Sequence, residues 1–505
     1  MSSPDSQPEL RSKTIIPPVM GWNTKDALSA MGPEYAVEAE NFFSNGSSVD
    51  YRKGYRYYAK NIGSGAGAVY ALTEFALQNG SRKLMCIGND LRPYSISAGG
   101  TQTDLSLGGT KVVNTTALMV NYKNRIWIKD DGGSHVYYWD GATASVTAAA
   151  FVGPSGDDIL LSSPMPYKGR LYFLGMDASI WYSELGAITG ALTQFNFETQ
   201  LVLGGKGVFC GPASQIGNNN DQFFVYISNQ GEVLLYAGDY PGNIASWSLV
   251  GHYFMPPPVG KRAFTYWGQN LAIVTYQGVV LLSDVMRGEG DLTFLSDKIN
   301  DQFIETIAST GVDGVTGVFY PQGNMLVFNL YDGTYYVQFV MNTITRSWWK
   351  WTGIQSLCWS LFNNNLYFGS VSAAVGGKVF KAWDGYFDEN LDTEGVAVAR
   401  TIKLRPAYNY FGDTENFKQF TFCIPTVYQN NNLAITIDSN VDYANTVATS
   451  ANADSTKGST YQIYQPRCGL QGIGKCASIR IDGTVTDQRS SLQAIEVFYV
   501  DADPA

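Results

Sequence analysis

The sequence predicts an all-β fold: a β-propeller of about seven blade-like repeats, with an N-terminal extension and a C-terminal β-sandwich-like domain. Three observations lead to this prediction, namely a recurring two-strand pattern, a composition rich in turn formers and aromatic residues, and little helical periodicity. Gly (53 of 505 residues), Tyr (32), Phe (26) and Trp (11) suit pleated strands joined by tight turns.

The repeat consists of two short apolar strands separated by a turn. Its seven copies are RKLMCIGNDLRPYSIS at Arg82, NRIWIKDDGGSHVYYWDG at Asn124, GRLYFLGMDASIWYSELG at Gly169, DQFFVYISNQGEVLLYAG at Asp221, QNLAIVTYQGVVLLSD at Gln269, GNMLVFNLYDGTYYVQFV at Gly323 and NNLYFGSVSAAVGGKVFKAWDG at Asn364. The spacing of these starts is close to the roughly 40 to 50 residues that a four-stranded propeller blade requires, so each copy is interpreted as part of one blade. The two longest intervals, from Gly169 to Asp221 and from Gln269 to Gly323, leave room for insertions. The N-terminal segment is a candidate to complete a blade from the far end of the chain.

Three parts of the chain are predicted. Residues 1–60 form an N-terminal arm with a short helix, residues 61–394 the propeller-like repeat domain and residues 395–505 the C-terminal domain, where runs such as LAITID and SIRIDG alternate without the blade pattern. The opening segment MSSPDSQPELRSK, from Met1 to Lys13, is polar and is predicted to be disordered. GSGAGAVY at Gly63 matches neither phosphate-binding glycine motif and is interpreted as a flexible loop.

One window has good helical periodicity. In SDKINDQFIETIA, Ile299, Phe303 and Ile307 recur every four residues, and Ser296 and Asp297 precede them in capping positions. We interpret it as a short helix inserted in the longest blade interval; the alternative is a helix that binds a partner.

Charge and apolar runs exclude several classes of protein. The net charge of −10 argues against nucleic-acid binding by phosphate neutralisation. Arg52, Lys53 and Arg56, among the tyrosines of YRKGYRYY, form the one compact basic cluster; a solvated strand face after a turn is favoured over a stacking site for single strands. No apolar run is long enough for a transmembrane helix and no secretory signal is found, so the sequence predicts synthesis and retention in the cytoplasm.

No catalytic, cofactor-binding or metal-binding residue is predicted. The two histidines, His135 and His252, are too few for a multi-histidine site and are assigned structural roles. The acid pairs Asp130-Asp131 and Asp157-Asp158 lie in turns, where hydrogen bonds to local backbone are favoured over a carboxylate dyad or a calcium site. The six cysteines lack a C-x-x-C pair and are predicted to be buried, reduced thiols: Cys86, Cys210, Cys358, Cys423, Cys468 and Cys476.

A tryptophan cluster leaves two interpretations open. In NTITRSWWKWTG, Trp348, Trp349 and Trp351 accompany Arg346 and Lys350. Exposed tryptophans stack on sugar rings, whereas buried ones would pack an outer blade strand on its neighbour, and the second interpretation is favoured. Asp-box turns typical of sialidase propellers are not found in the sequence.

The N-terminal block adds a resemblance. Residues 15–59, IIPPVMGWNTKDALSAMGPEYAVEAENFFSNGSSVDYRKGYRYYA, contain a Pro-rich start, a Gly-x-Asn-Thr-x-Asp turn, an expected short helix after Pro33 that ends in Asn-Phe, and an Arg-Lys-Gly-Tyr strand. This block resembles the opening of tail nozzle, or tail tubular B-like, proteins of short-tailed bacteriophages, and VQFVMNTITRSWWKW resembles their blade phrases. The likeness is close over this N-terminal block and extends further only in layout.

The resemblance implies a structural virion protein and not an enzyme. It implies a homohexamer under an adaptor ring below the portal, fibres or spikes attached around it, and passage of double-stranded DNA through its channel without sequence-specific binding. It also implies location in the virion tail after assembly in the host cytoplasm. The alternatives are a carbohydrate-binding or glycan-hydrolysing propeller of a phage tail and a monomeric scaffold propeller.

Overall fold

The structure is a computed structural model that describes residues 9–109, 111–214, 222–243, 245–288, 292–310, 314–430, 435–444, 448–452, 460 and 462–502. The elements up to residue 200 are β1 (Leu10–Ile15), β2 (Gly21–Trp22), β3 (Tyr35–Glu40), β4 (Phe42–Ser44), β5 (Val49–Tyr51), β6 (Tyr55–Ala76), β7 (Arg82–Gly88), β8 (Pro93–Ile96), β9 (Gln102–Asp104), β10 (Leu118–Tyr122), β11 (Arg125–Lys129), β12 (Tyr137–Trp139), β13 (Thr147–Ala148), β14 (Phe151–Val152), β15 (Ser162–Tyr167), β16 (Arg170–Leu174), β17 (Ser179–Tyr182), β18 (Gly190–Ala191) and β19 (Thr193–Asn196).

The elements between residues 200 and 385 are β20 (Gly207–Ser214), β21 (Gln222–Ser228), β22 (Glu232–Ala237), β23 (Ser248–Phe254), β24 (Phe264–Trp267), β25 (Asn270–Thr275), β26 (Gly278–Leu281), α1 (Leu282–Arg287), α2 (Asn300–Ser309), β27 (Thr316–Tyr320), β28 (Met325–Tyr331), β29 (Tyr336–Asn342), β30 (Trp348–Trp351), β31 (Ser356–Phe362) and β32 (Asn365–Ala382). The remaining strands are β33 (Asp388–Glu389), β34 (Ala397–Val398), β35 (Arg400–Pro406), β36 (Phe417–Gln429), β37 (Ile435–Val441), β38 (Ala448–Asn452), β39 (Gln462–Tyr464), β40 (Cys468–Gly469), β41 (Ile473–Gly474), β42 (Ala477–Val485) and β43 (Ser490–Ala502). The prediction of an all-β fold is confirmed.

The chain divides into two compact units. The propeller unit contains Tyr57–Val337 and Ile354–Ala382, and the composite unit contains Met1–Arg56, Gln338–Gly353 and Trp383–Ala505. This division differs from the predicted boundaries at residues 60 and 394, because the N-terminal segment and residues 338–353 fold with the C-terminal strands and not as a separate arm or as part of the repeat.

The propeller unit is a series of small antiparallel sheets, one for each predicted repeat. In chain order its seven blades, counted within the described residues, are β6–β9, β10–β13, β15–β17 with β19, β20–β23, β24–β26, β27 with β28, and β31 with β32. Each quoted repeat supplies at least one strand of a different blade, so the prediction of about seven blade-like repeats is confirmed. The second strand of the Gly323 repeat, β29, extends into the composite unit, and the Asn364 repeat forms the single strand β32.

Apolar clusters fill the space between consecutive blades. Trp127 on β11 and Phe173 on β16 share one cluster, in which both are fully buried. Tyr172 on β16 and Tyr226 on β21 share the next. Alternate residues of each central strand therefore face opposite neighbours, as the two-residue period of a strand requires.

The ring of blades closes through the beginning of the chain. β32 pairs with β6, and Ala59 and Ile62 of β6 join Val379 of β32 in one buried cluster. The Tyr58 ring lies 4.8 Å from the Tyr367 ring, edge to face. The seventh blade thus takes a strand from the N-terminal side, which confirms the expectation that this segment completes a blade.

The interpretation of GSGAGAVY as a flexible loop is wrong, because these residues belong to β6. A Cβ added to Gly67 would lie 2.3 Å from the backbone carbonyl carbon of Gly376 and equally close to the nitrogen of Gly377. Glycine is required here because two backbones approach closely, and not because the segment bends.

The predicted helix is present as α2, with a short 3₁₀ turn (Asp297–Ile299) before it. Ile299, Phe303 and Ile307 are buried, which fits insertion into the blade interval. The predicted side-chain cap is not formed: the Ser296 hydroxyl accepts the Val279 N–H at 2.9 Å and donates to Asn300 Oδ1 at 2.8 Å. The Ser296 hydroxyl therefore accepts from the backbone of β26 and not from the backbone at the start of the helix. None of the described helices has the length and apolar character needed to cross a membrane.

The composite unit is built from two larger sheets. One contains β4, β5, β43, β36 and β39 in that order, with β1 on β43. The other, within this unit, runs β29–β30–β2–β3–β35–β42–β37–β38. The predicted C-terminal strands are confirmed, since Ile437 of LAITID and Ile481 of SIRIDG are direct partners.

Two predictions for the N-terminal segment are wrong. The expected short helix after Pro33 is the strand β3, although Ala and Glu favour helix locally; β3 pairs with β35, and burial of Ala36 and Ala39 in this sheet outweighs propensity. The predicted disorder of residues 1–13 fails for Leu10–Lys13, which pair with β43, while residues 1–8 lie outside the described residues.

A buried ionic cluster holds the composite unit together. The Arg52 guanidinium, which is fully buried, makes two hydrogen bonds to the Asp388 carboxylate, one of them 2.8 Å from Nη1 to Oδ1. Arg400 Nη1 lies 3.4 Å from the same Oδ1. Burial, with Arg52 nearby, lowers the pKa of Arg400 to about 10, although Asp388 acts in the opposite direction. The predicted solvated face is therefore wrong for Arg52, whose partner is 336 residues away and could not be identified from local sequence.

Asn41 and Gly54 fix the backbone around this cluster. Asn41 has a left-handed φ of 63° and its carbonyl Oδ1 accepts from Arg52 Nε at 2.7 Å and from the Thr352 N–H at 3.0 Å. Its amide donates to the Thr401 carbonyl at 2.7 Å. A Cβ on Gly54 would lie 1.8 Å from the Phe387 carbonyl oxygen, so no larger residue fits. Three distant chain segments meet at these two residues.

Candidate functional site

A cavity of about 290 Å³ lies at the centre of the propeller unit. It is lined from all seven blades, mainly by their first strands: Tyr70, Ala71, Leu72 and Thr73; Ala117, Leu118, Met119 and Val120; Ser163, Pro164 and Met165; Val208, Phe209 and Cys210; Lys261, Arg262, Phe264 and Tyr266; Thr316 and Gly317; Cys358 and Trp359. First strands surround the axis of a propeller, so this cavity is its central channel.

Two cations, Lys261 and Arg262, enter this cavity from the segment before β24. Arg262 donates to the carbonyl oxygens of Tyr70 at 3.1 Å, Thr115 at 2.7 Å and Ala117 at 3.1 Å, and so joins the first two blades. No Asp or Glu is among the described residues that line the cavity. The wall therefore carries positive charge.

The Lys261 ammonium lies where the cavity adjoins a smaller recess. It forms an ion pair with Asp131 and donates to Ser162 Oγ at 2.9 Å. The recess is lined in part by Asp130, which is buried and pairs with Lys129 at 3.0 Å. Burial lowers the pKa of Lys129, although Asp130 acts to raise it.

Several polar atoms of the cavity wall lack a partner within the described structure. These atoms are Ser163 Oγ, Thr316 Oγ1 and the indole Nε1 of Trp359. Ser163 also has a left-handed φ of 48° and lies in a bulge of β15, between Ser162 and Met165. Strained residues at bulges and buried unpaired polar atoms are both typical of functional sites.

The two cavity thiols are not suited to nucleophilic chemistry. Burial raises the pKa of Cys210 to about 12, although Lys261 acts to lower it. Burial likewise raises the pKa of Cys358 to about 12, against the effect of Arg262. All six cysteines are free and buried, as predicted.

His135 lies beside the acid pair Asp157-Asp158 on another part of the propeller unit. Its Nδ1 is 2.6 Å from Asp158 Oδ1 and 3.6 Å from Asp157 Oδ1. Asp157 bonds to local backbone as predicted, since it accepts the Ile159 N–H at 3.2 Å. Asp158 instead accepts the Val136 N–H, 22 residues earlier, at 2.9 Å. The three side chains offer donor atoms within 4.8 Å of one another, a spacing that one metal ion can bridge. The hydrogen bonds already explain the arrangement.

The first acid pair differs from its predicted local role. Asp130 accepts the N–H of Asn114, 16 residues earlier, at 3.0 Å. Asp131 pairs with Lys261, 130 residues later. Both acids therefore bridge separate segments and not a single turn.

His252 has the structural role that the sequence predicts. Its Nε2 is 2.8 Å from Oε1 of Glu232, which is fully buried. Glu232 also accepts the N–H groups of Val202 at 2.8 Å and Leu203 at 2.7 Å. Burial acts to raise the pKa of Glu232, but these donors and His252 outweigh it, so the pKa lies below its ordinary value.

The tryptophan cluster is buried, as the favoured packing interpretation predicts, but its strand β30 belongs to a sheet of the composite unit and not to a propeller blade. Trp348 and Trp351 are 2% exposed and Trp349 is 0% exposed. The Trp351 indole N–H donates to the Phe42 carbonyl, and that of Trp349 to Ser347 Oγ, each at 3.0 Å. These rings cannot form an exposed platform for sugars.

The rest of the basic cluster packs on aromatic rings. Lys53 Nζ lies 5.5 Å from the centroid of Trp383, and the guanidinium carbon of Arg56 lies 5.0 Å from that of Phe387. Arg56 is exposed, but Lys53 is half-buried and Arg52 is fully buried, so this segment does not present the basic face expected of a single-strand binding site.

Sequence reasoning did not assign the central cavity. Its polar residues include the ends of two segments between blades, GPSGDDILLSSP (153–164) and GHYFMPPPVGKR (251–262). The first ends at Ser163-Pro164 and the second at Lys261-Arg262. These residues lie at or just before the first strand of a blade. That position in the sequence would have indicated that they lie near the propeller axis.

Comparison with known proteins gives no assignment. No protein-family model matches the chain, and no curated protein matches it. Solved structures resemble it distantly. The computationally designed Ika8 protein matches with a TM-score of 0.39 and 11% identity, covering 65% of this chain and 99% of that one. The extracellular domain of a putative one-component system from B. thetaiotaomicron matches with a TM-score of 0.44 and 10% identity, covering 85% and 61%.

An exo-beta-1,3-galactanase from Phanerochaete chrysosporium matches with a TM-score of 0.31 and 10% identity, covering 78% of this chain and 97% of that one. All these TM-scores are too low to support an argument. The class of the protein, an all-β propeller protein with a second unit composed of distant segments, rests on its own strand pairing.

Proposed function

We propose that this chain is a structural virion protein, the subunit of a hexameric tail nozzle of a short-tailed bacteriophage. Six copies would surround the distal channel through which the genome leaves the particle. The partners would be the adaptor ring above the nozzle and the fibres or spikes around it. This proposal makes the protein a component of the virion tail, assembled in the host cytoplasm, and not an enzyme.

The observation that carries the proposal is the structural role of the residues behind the resemblance. Asn41 of the Asn-Phe motif and Arg52 and Gly54 of the Arg-Lys-Gly-Tyr motif meet at the ionic cluster of the composite unit. Asn23 of the Gly-x-Asn-Thr-x-Asp motif forms the expected turn, since its Oδ1 accepts the N–H groups of Lys25 and Asp26, each at 3.1 Å. A resemblance carried by residues that determine the fold supports membership of a family better than a resemblance carried by surface residues.

The physical properties of the chain suit a channel wall. A closed ring of blades leaves few exposed strand edges and resists deformation. Six chains at −10 each give −60 for the assembly, so duplex DNA, with one charge per roughly 1.7 Å, would not be held electrostatically by the assembly as a whole.

Gating would then be a rearrangement of loops after the fibres engage a receptor. Segments 153–164 and 251–262 are the candidates, and they already contact each other through the hydrogen bond from Lys261 to Ser162. Breaking this bond and the Lys261–Asp131 pair would release one segment from the other.

The alternative of a carbohydrate-binding or glycan-hydrolysing propeller loses its main support, since the tryptophans on which it depended are buried. A reducing-sugar assay on host surface polysaccharide remains its direct test.

The experiment is to measure the mass of the purified protein alone and after mixing with the adaptor–portal complex of the same phage. One chain has a mass of 55.3 kDa, and a species of six times that mass, alone or only on the adaptor, supports the nozzle. A monomer that ignores the adaptor contradicts it. The matched control is the same mixture with the Asp388→Ala variant, whose composite unit is expected to be disrupted.

A further inference from the structure

We propose that the central cavity of the propeller unit is a binding site for a small organic anion, a carboxylate or phosphate ester on a compact body. This inference concerns the wall of one propeller and does not depend on the proposed nozzle function. Nothing in the nozzle proposal requires a ligand.

The charged residues among the described lining residues of the cavity are two cations, Lys261 and Arg262, and no carboxylate lines it. Both side chains are partly exposed, so their positive charge acts on a molecule inside the cavity and attracts an anion. Arg262 is held in place by donation to three carbonyl oxygens, and Lys261 pairs with Asp131 at the adjoining recess.

The cavity wall also contains buried polar atoms without a partner among the described residues. Trp359 is 7% exposed and its indole N–H, which can only donate, has no partner among the described residues. Ser163 Oγ and Thr316 Oγ1 are also without one. A buried polar group left unpaired costs about 1–3 kcal/mol, so a small rotation that brings these three groups against a bound molecule would recover part of that free energy. The strained φ of Ser163 fits the same interpretation.

The size and the lining of the cavity suit a small ligand. A volume of about 290 Å³ is near the lower end of the range for ligand pockets, roughly 300 to 1,000 Å³. The remaining wall is apolar and aromatic, including Phe209, Phe264 and Tyr266. Such a wall suits a body about as large as one sugar ring, with the anionic group directed towards Lys261 and Arg262.

An anionic ligand can enter the cavity by exchange of one ion pair. Asp131 is partly exposed and holds Lys261 at the recess beside the cavity. An entering carboxylate or phosphate can replace Asp131 as the partner of Lys261, so charge stays compensated throughout entry.

The test is calorimetric titration of the full chain with three probes that share one body: glucuronate, glucose 1-phosphate and glucose. Binding of either anion, at least tenfold tighter than glucose, is expected, and the two anionic arms distinguish a carboxylate from a phosphate ligand. Arg262→Gln should weaken anion binding tenfold or more. Arg287→Gln, at an exposed position of α1, is the matched control and should bind as the wild type does.

Two further variants test the same proposal if Arg262→Gln fails to fold. Trp359→Phe replaces the indole by a smaller phenyl ring without the N–H, and Thr316→Val replaces a hydroxyl by a methyl group of similar size. Thr316→Val should leave the free protein as stable as before, or more stable, because an unpaired polar group is lost, whereas Trp359→Phe also loses packing against Phe368 and should cost some stability. Both should weaken anion binding threefold or more. Equal binding of glucose and the anions, no binding of any probe, or unchanged anion affinity in Thr316→Val and Trp359→Phe would each overturn the proposal.

Discussion

The propeller unit and the composite unit are stabilised in different ways. In the propeller unit, neighbouring strands are joined by short turns, and apolar clusters such as that of Trp127 and Phe173 bind each blade to the next one along the chain. In the composite unit, strands from three distant segments meet, and buried polar side chains connect them, for example Arg52 with Asp388.

This difference predicts how the stability of each unit responds to the loss of a single side chain. A repeated unit spreads its stability over many similar interfaces, as in other repeat proteins. A unit that depends on one buried charged cluster concentrates stability in a few residues, because loss of one partner leaves the others buried and unpaired. Substitutions in the two units should therefore differ in the free energy of unfolding that they cost and in the strands whose hydrogen-exchange protection they reduce.

The largest effect is expected from Asp388→Ala. This change leaves Arg52 and Arg400 buried without their carboxylate, so the free energy of unfolding of the composite unit should fall by about 3–5 kcal/mol. Urea denaturation measures it, and hydrogen exchange of β36 and β43 locates it. Asp501→Ala is the matched control, because Asp501 pairs with Arg11 at the surface and should cost less than about 1 kcal/mol. Equal losses in the two variants would remove the contrast between the units.

The next effect is in the propeller unit, from Leu234→Ala. Leu234 is fully buried between two blades, and its truncation should cost about 3 kcal/mol. Hydrogen exchange should rise in β20–β23 while β36 and β43 keep their protection. Leu249→Ala, in the same blade but 42% exposed, should cost less than about 0.5 kcal/mol. Loss of protection in both units at once would show that they unfold as one.

A smaller effect is expected from Asn41→Gly, which keeps the left-handed backbone but removes the side chain. The Arg52 Nε–H and the Thr352 N–H each lose an acceptor, so the free energy of unfolding should fall by about 2 kcal/mol. Asn41→Ala should cost more, because alanine also disfavours φ near 63°. If the glycine variant is as stable as the wild type, the polar connections of the composite unit contribute little.

The smallest effect depends on pH and concerns Glu232. Its pKa in the folded protein lies below the ordinary 4.5, so its contribution is present above that pH and is lost as the pH falls through the folded pKa. Urea denaturation between pH 7 and pH 3 should show that Glu232→Gln loses less stability on acidification than the wild type. Glu198→Gln, at an exposed position, should follow the wild type. Parallel pH profiles for all three proteins would contradict this role.

The same contrast decides what could be predicted from the sequence. The blades were predictable because a strand has a period of two, its turns have distinct residues, and its partner lies within about 20 residues. β3 was mistaken for a helix because pairing with β35 overrides the local preference of Ala and Glu. Gly67 was mistaken for a loop residue because the backbone of Gly376 that requires it is distant in sequence.

The residues of the candidate site show the same limit of prediction from local sequence more clearly. Burial of Trp348, Trp349 and Trp351 followed from residue type, since large aromatic side chains usually pack in cores. Lys261 and Arg262 carry no motif, and only closure of the ring brings them against Asp131 and Tyr70. Long-range geometry, and not residue type, defines the cavity.

The most direct test of the proposed function is a cryo-EM reconstruction of purified particles of a phage whose genome encodes this chain. The account predicts six copies at the distal end of the tail, below the adaptor ring, each fitting a seven-bladed ring and the two sheets of the composite unit. Tail density that ends in a different protein, with this chain absent from the particle, would contradict it.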